Sequence, residues 1–131
     1  MNTYLIIVNI LGGLAFGVHT FMGDRELHLI TPASNDSHWL KKQETWTMTR
    51  CGWHWISFDL LMLTVLLSLI NFTNWIPHPA FVVQLLAIYT LGYALFWLVT
   101  VAISRSFAQN YLKLGQWMLM LLISGLLFLG V

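Results

Sequence analysis

Four continuous apolar stretches alternate with three polar connections along the chain, at about residues 3–22, 54–74, 80–103 and 111–131. None shows the period-2 alternation of a barrel strand. Each approaches the roughly 20 residues that a helix needs to cross a bilayer, and a helix satisfies its own backbone groups in lipid. The pattern predicts an all-α integral membrane protein. The connections at 71–79 and 104–110 are short, which favours neighbouring spans packed up-down-up-down as a four-helix bundle. The stretches take up most of the 131 residues, so one transmembrane domain is expected, with no room for a soluble one.

Composition agrees. The chain is 58% hydrophobic and 8% charged, against about a quarter charged in soluble domains; lipid must cover what charge cannot. The basic residues are asymmetric. Arg25, Lys41, Lys42 and Arg50 lie in or beside the first connection, Arg105 and Lys113 in or beside the third, and none in the second. Basic residues near span ends stay cytoplasmic, which predicts an inner-membrane, multi-pass protein with both termini periplasmic. The first stretch lacks a basic leader and a small-x-small cleavage site, so it is read as a retained span. Cys51 is the sole cysteine, excluding an internal disulfide and a thiolate metal cluster within one chain. Nothing suggests nucleic-acid binding.

Local signals refine the elements. Gly13 and Gly17 are four apart, a spacing that lets another helix or a flat cofactor approach. The first helix is expected to reach about Leu29, before Thr31-Pro32. Ser34, Asn35, Asp36 and Ser37 form an N-cap cluster, and an interfacial segment over about 37–51 leads into the second span. Trp53 and Trp55 are expected at headgroup level as belt residues.

The candidate chemistry follows from depth. His19 lies near the inner end of the first span and His54 near the inner end of the second. Antiparallel helices bring the two imidazoles to one height, with Thr100 or Trp97 and Gln116 or Trp117 in the same layer. Ionisable groups inside a membrane are costly and mark functional sites. Asp24, Glu26 and His28 follow His19; Arg50 precedes His54 by a turn, and Ser57 follows it by three on the same face. Asp59 lies deeper, where burial raises its pKa or a hydrogen-bond partner is needed.

Three readings compete. A metal ion (iron, zinc or copper) could bind His19, Asp24 or Glu26, His28 and His54. Nine residues separate His19 from His28, which puts them on opposite faces of a straight helix, so a bend at Gly23 is required. A haem b could take His19 and His54 as axial ligands, with Arg25 and Arg50 on its propionates. The plain alternative has both histidines only hydrogen-bonding headgroups or backbone, as expected for His38 and His78 in the connections.

Two strings, His19-Thr-Phe-Met-Gly-Asp24 and Arg50-Cys-Gly-Trp53-His54-Trp-Ile-Ser57, resemble a group of small bacterial inner-membrane proteins with four predicted spans. In that group a His-x-x-x-Gly-(Glu/Asp) string ends the first span and a Trp-His-x-x-(Ser/Thr) string opens the second. The resemblance covers the first half of the chain and implies that His19, Asp24 and His54 belong to one constellation.

The sequence therefore points to a polar pocket near the cytoplasmic face lined by His19, Asp24, His28, His54, Ser57 and Asp59, with Gln116 in the same layer. Its expected use is metal or haem binding for redox chemistry on a lipid-soluble molecule such as a quinone or lipid. The alternatives are a non-catalytic subunit of a homo-oligomer or larger membrane complex, docking through Gly13, Gly17, Ser124 and Gly125, and a small proton-coupled carrier relaying through Asp59.

Overall fold

The computed structural model describes residues 2–35, 37–104 and 110–131. Asp36 of the expected N-cap cluster and Arg105 of the third connection lie outside them. Every regular element among the described residues is helical: α1 (Thr3–Gly17), a π-helical segment (Val18–Gly23), α2 (Asp24–Leu29), α3 (Trp39–Phe72), α4 (Pro79–Ile103), α5 (Asn110–Lys113) and α6 (Gln116–Leu129). Three runs are long and apolar enough to cross a membrane: Thr3–Leu29, Trp39–Phe72 and Pro79–Ile103.

The first helix ends where Thr31-Pro32 stops it, as expected. α3 merges the interfacial segment and the second span into one 34-residue helix. It is about 51 Å long at 1.5 Å per residue, well beyond the roughly 30 Å hydrocarbon core. Its N-cap position is His38 rather than the Ser34–Ser37 cluster. His38 has φ 59°, and His78, which caps α4 ahead of Pro79, has φ 54°.

The expected fourth span is not one helix. α5 and α6 are separated by a turn at Leu114-Gly115, and α6 alone is 14 residues, about 21 Å. The break releases backbone carbonyls, and two indoles accept that role. Trp117 Nε1 donates to the Tyr111 carbonyl at 3.0 Å, and Trp97 Nε1 to the Leu114 carbonyl at 3.0 Å.

Contacts divide the chain into two compact units. One comprises Met1–Asn9 and Leu66–Val131. In it α4 packs on α6 in antiparallel register, with Trp97 against Leu114 and Ala87 against Ser124. Small residues make this approach possible: Ala87 and Ala94 are fully buried beside Ile123 and Leu127. Ser124 Oγ and Thr90 Oγ1 both donate to the Ala87 carbonyl, at 2.8 and 3.1 Å. Asn9 Nδ2 donates to Ser68 Oγ at 2.9 Å.

The second unit is Ile10–Val65. Here the first helical run pairs antiparallel with α3, with Gly12 opposite Thr64, His19 opposite Trp53, Asp24 opposite Arg50 and Leu27 opposite Trp46. Both units bury mostly apolar side chains with a few small polar ones, and both expose large apolar side chains. The buried polar residues are Ser57, Thr90 and Ser124, whereas Phe21, Trp55 and Phe96 are about three-quarters exposed. Such a surface suits a lipid solvent.

The close helix approach differs from the expected one. A Cβ on Gly12 would lie 3.0 Å from Thr64 Oγ1, while Gly13 has only ordinary contact with Thr64, and Gly17 and Gly125 face open space.

Candidate functional site: an aspartate hub beside a histidine–tryptophan stack

The π-helical segment is what assembles the site. Residues five apart diverge in an α-helix but stack nearly above one another where hydrogen bonds run i→i+5. His19 and Asp24 are five apart across this segment, which ends at Gly23. Both therefore face α3. The change of register expected as a bend at Gly23 is supplied by this π turn.

Asp24 is the centre. Arg50 donates to it through two nitrogens, Nε to Oδ1 at 2.6 Å and Nη2 to Oδ2 at 2.8 Å. This is the forked, charge-assisted geometry that fixes a carboxylate in place. His54 Nε2 lies 3.2 Å from Oδ1, and His28 Nε2 lies 3.5 Å from Oδ2. His28 is on α2 one turn beyond Asp24; Arg50 and His54 are one turn apart on α3. The side chain of Asp24 is 20% exposed, those of His28 and His54 52% and 43%. The carboxylate is sheltered while both imidazoles reach the surroundings.

Among the described residues, no three or more His, Cys, Asp or Glu side chains are arranged to hold one metal ion. The geometry gives the reason. The two Nε2 atoms approach different oxygens of one carboxylate that a guanidinium already clamps, so these groups face each other rather than a shared point.

His19 does not join this hub. Its ring stacks on Trp53, centroids 4.1 Å apart and planes within 7°. Its Nε2 lies 3.1 Å from the Trp53 carbonyl oxygen, and Trp53 Nε1 donates to the His19 carbonyl at 2.8 Å. A carbonyl only accepts, so Nε2 of His19 carries the hydrogen. Any ligand role of His19 then falls to Nδ1. Ser57, buried, donates to the same Trp53 carbonyl at 3.4 Å. Trp53 is thus an internal wedge rather than a belt residue. It fits because Gly23 has no side chain: a Cβ there would sit inside the indole. Trp55, by contrast, is 75% exposed, in keeping with a belt position.

Trp46 forms the outer wall. Its Nε1 donates to the Leu27 carbonyl at 2.9 Å. The Arg50 guanidinium carbon lies 5.5 Å from its ring centroid and the His28 ring 6.0 Å away. The remaining candidates lie elsewhere. Arg25 and Glu26 are exposed, Gln116 is exposed in the first turn of α6, and Asp59 is half-buried on α3, about 140° around the helix from His54.

Of the constellation that the strings imply, Asp24 and His54 meet directly, and His19 enters through Trp53. Trp46 and Trp53 are site residues that sequence reasoning missed, and Gly23 entered it only as a bend. For the two tryptophans the available signal was the indole N–H, which needs an acceptor wherever it is buried: Trp46 lies one helical turn before Arg50, and Trp53 directly precedes His54. No family profile, no curated protein and no solved structure matches the chain.

Proposed function

We propose that this is a four-span inner-membrane protein, both termini periplasmic, in which His54, oriented by Asp24, acts as an acid–base group on the polar head of a lipid-soluble molecule of the quinone class. The observation that carries the reading is His54 Nε2 at 3.2 Å from a carboxylate that Arg50 clamps twice. The clamp fixes the acceptor. The acceptor fixes the imidazole tautomer with hydrogen on Nε2, leaving Nδ1 of the half-exposed ring to take or give a proton. Imidazole is the side chain suited to that exchange near neutral pH. His28, on the other oxygen, is a second such group. The His19–Trp53 stack beneath closes the apolar side.

The purified protein titrated with a short-chain quinone tests this, read by quenching of tryptophan fluorescence, since Trp46 and Trp53 flank the hub. Saturable quenching is expected, weakened about tenfold or more in His54→Ala with helical circular dichroism unchanged. Absence of saturation, or a variant that titrates like the parent, overturns the reading.

The same orientation supports a second reading, a metal ion or haem b. A carboxylate behind an imidazole is the usual arrangement for a metal-binding histidine, and Nδ1 of His54 would be the ligand atom. Further ligands would come from Nδ1 of His19, from a second copy of the chain or from the substrate. A Soret band or a stoichiometric metal content in the purified protein supports it; their absence from protein purified without chelator removes it.

A further inference from the structure

We propose that the cavity where four helix ends meet, in the unit Met1–Asn9 and Leu66–Val131, binds the acyl ester group of a lipid, with Asn71 donating to the ester carbonyl. The cavity encloses about 370 Å³, a volume in the range of small-ligand sites. Its walls come from the start of α1 (Leu5), the end of α3 (Ile70, Asn71), the start of α4 (Ala80, Val83) and Gly130, which closes α6.

Two amides line this cavity, and they differ. Both amide atoms of Asn2 are engaged: Nδ2 donates to the Gly130 carbonyl at 2.9 Å, and Oδ1 accepts from the Tyr4 N–H at 3.0 Å. Nδ2 of Asn71 is buried and has no hydrogen-bond partner. Leaving a buried donor unpaired costs its full desolvation, so the great majority of such groups in folded proteins are satisfied. The χ2 angle of asparagine is broad rather than locked in one well, so a small turn brings the NH2 group to the cavity surface. What fills the cavity supplies the missing acceptor.

The rest of the lining decides what carries that acceptor. Among the described residues, no Lys, Arg, Asp or Glu side chain lines the cavity, so the group is uncharged. Leu5 and Val83 are buried, and with Ile70 they offer an apolar wall. A water molecule held in such a space needs about two to four polar partners, and the Asn71 amide is one. Depth narrows the class. Asn71 is the last residue but one of α3, and a hydrocarbon core of roughly 20 residues counted back from Phe72 places it at the edge of that core. Trp75, 79% exposed, follows just beyond as a belt residue. The glycerol ester carbonyls of lipids lie at this edge, between acyl chain and headgroup. An acyl ester brings one carbonyl to Asn71 and lays the first carbons of its chain on Leu5, Ile70 and Val83.

The full chain, purified in a mild detergent, is incubated with monooleoylglycerol or with oleyl glyceryl ether, which has the same chain and hydroxyls but no carbonyl, and the retained lipid is measured by native mass spectrometry. The same comparison is made with diacyl and diether phosphatidylglycerol. An ester is expected to be held about tenfold better than its ether, the loss that follows when a buried donor goes unpaired. Whichever ester is preferred names the source, a free monoacyl ester or a bilayer phospholipid. In Asn71→Leu the preference should vanish, while the lipid-free variant melts no lower than the parent, because the amide gives up no bond within the chain. Equal retention of ester and ether by the parent in both comparisons overturns the proposal and leaves ordered water as the partner of the amide. So does a preference that survives Asn71→Leu, or a variant that melts below the parent without lipid, which would give the amide a structural role.

Discussion

Trp53 and His19 hold each other three ways at once: their rings stack at 4.1 Å, the indole N–H donates to the His19 carbonyl, and the imidazole N–H donates to the Trp53 carbonyl. The pair fixes the register of two antiparallel helices at the point where the first leaves α-helical geometry. A π turn takes carbonyls out of the i→i+4 ladder, and the indole supplies a donor for the one at His19.

That wedge has no slack on its far side. Gly23→Ala would drive a methyl into an indole held in place by its hydrogen bond to the His19 carbonyl and by its stack on the His19 ring. The expected cost is about 1–3 kcal/mol, as for other overpacked sites. Unfolding of the purified protein in a denaturing detergent measures it. Trp53→Phe removes the indole nitrogen and the second ring, so Gly23→Ala should cost less in that background. Equal costs in both backgrounds would show that the close approach does not bear on stability.

Which parts of this were legible in the sequence follows from what kind of signal each one leaves. The long apolar helices, the helix stop at Thr31-Pro32 and the helix start at Pro79 depend on composition and backbone chemistry, and residues show those directly. Polarity at span ends put Asp24 and His54 in one pocket but paired His54 with His19; in the structure His54 meets Asp24 and His19 stacks on Trp53. The π turn was not readable, because His19 to His28 reads as opposite faces under a 3.6-residue period, and only a changed period resolves it. Trp53 carried the strongest misleading signal: a tryptophan near a membrane interface is by frequency a belt residue. The apolar run over 111–131 concealed the turn at Leu114-Gly115 for a similar reason, since hydropathy does not register a backbone break that two indoles satisfy.

The Asp24–Arg50 clamp predicts a strict chemical preference. Arg50→Lys keeps the charge but loses the two-nitrogen fork and the contact with Trp46, so it should lower the melting temperature rather than be neutral. Asp24→Asn should lower it as well. Because the two groups form one unit, the double variant Asp24→Asn/Arg50→Gln should be no less stable than the weaker of its two single variants. Thermal circular dichroism of the four proteins checks this, and additive losses would mean that the groups act independently.

Asn9 and Ser68 make a hydrogen bond of 2.9 Å between side chains inside apolar helices. In lipid such a bond is worth less than its isolation suggests, since the separated helices also find partners; measured couplings average about 0.6 kcal/mol and reach about 1.7. A cycle of Asn9→Ala, Ser68→Ala and the double variant should return a coupling in that range. The cycle is needed because Ser68 has other partners, which the single substitution would also remove. A coupling of zero would mean that the pair does not hold these helices together.

The lone thiol gives a direct test of sidedness. From Phe72 back, the roughly 20 residues that span a hydrocarbon core end near Trp53, so the rest of α3 projects beyond it. Cys51, exposed on that projection next to Arg50, then lies at the water boundary on the side with Arg25, Lys41 and Lys42. Basic residues stay in the cytoplasm, so a membrane-impermeant maleimide should label Cys51 in inverted vesicles but not in intact cells. In a Cys51→Ser background, His78→Cys places a thiol at the start of α4, and it should label in intact cells. Labelling with the two sides exchanged would invert the topology and move the Asp24 hub to the periplasmic face; labelling of both positions from one side would mean that α3 does not cross.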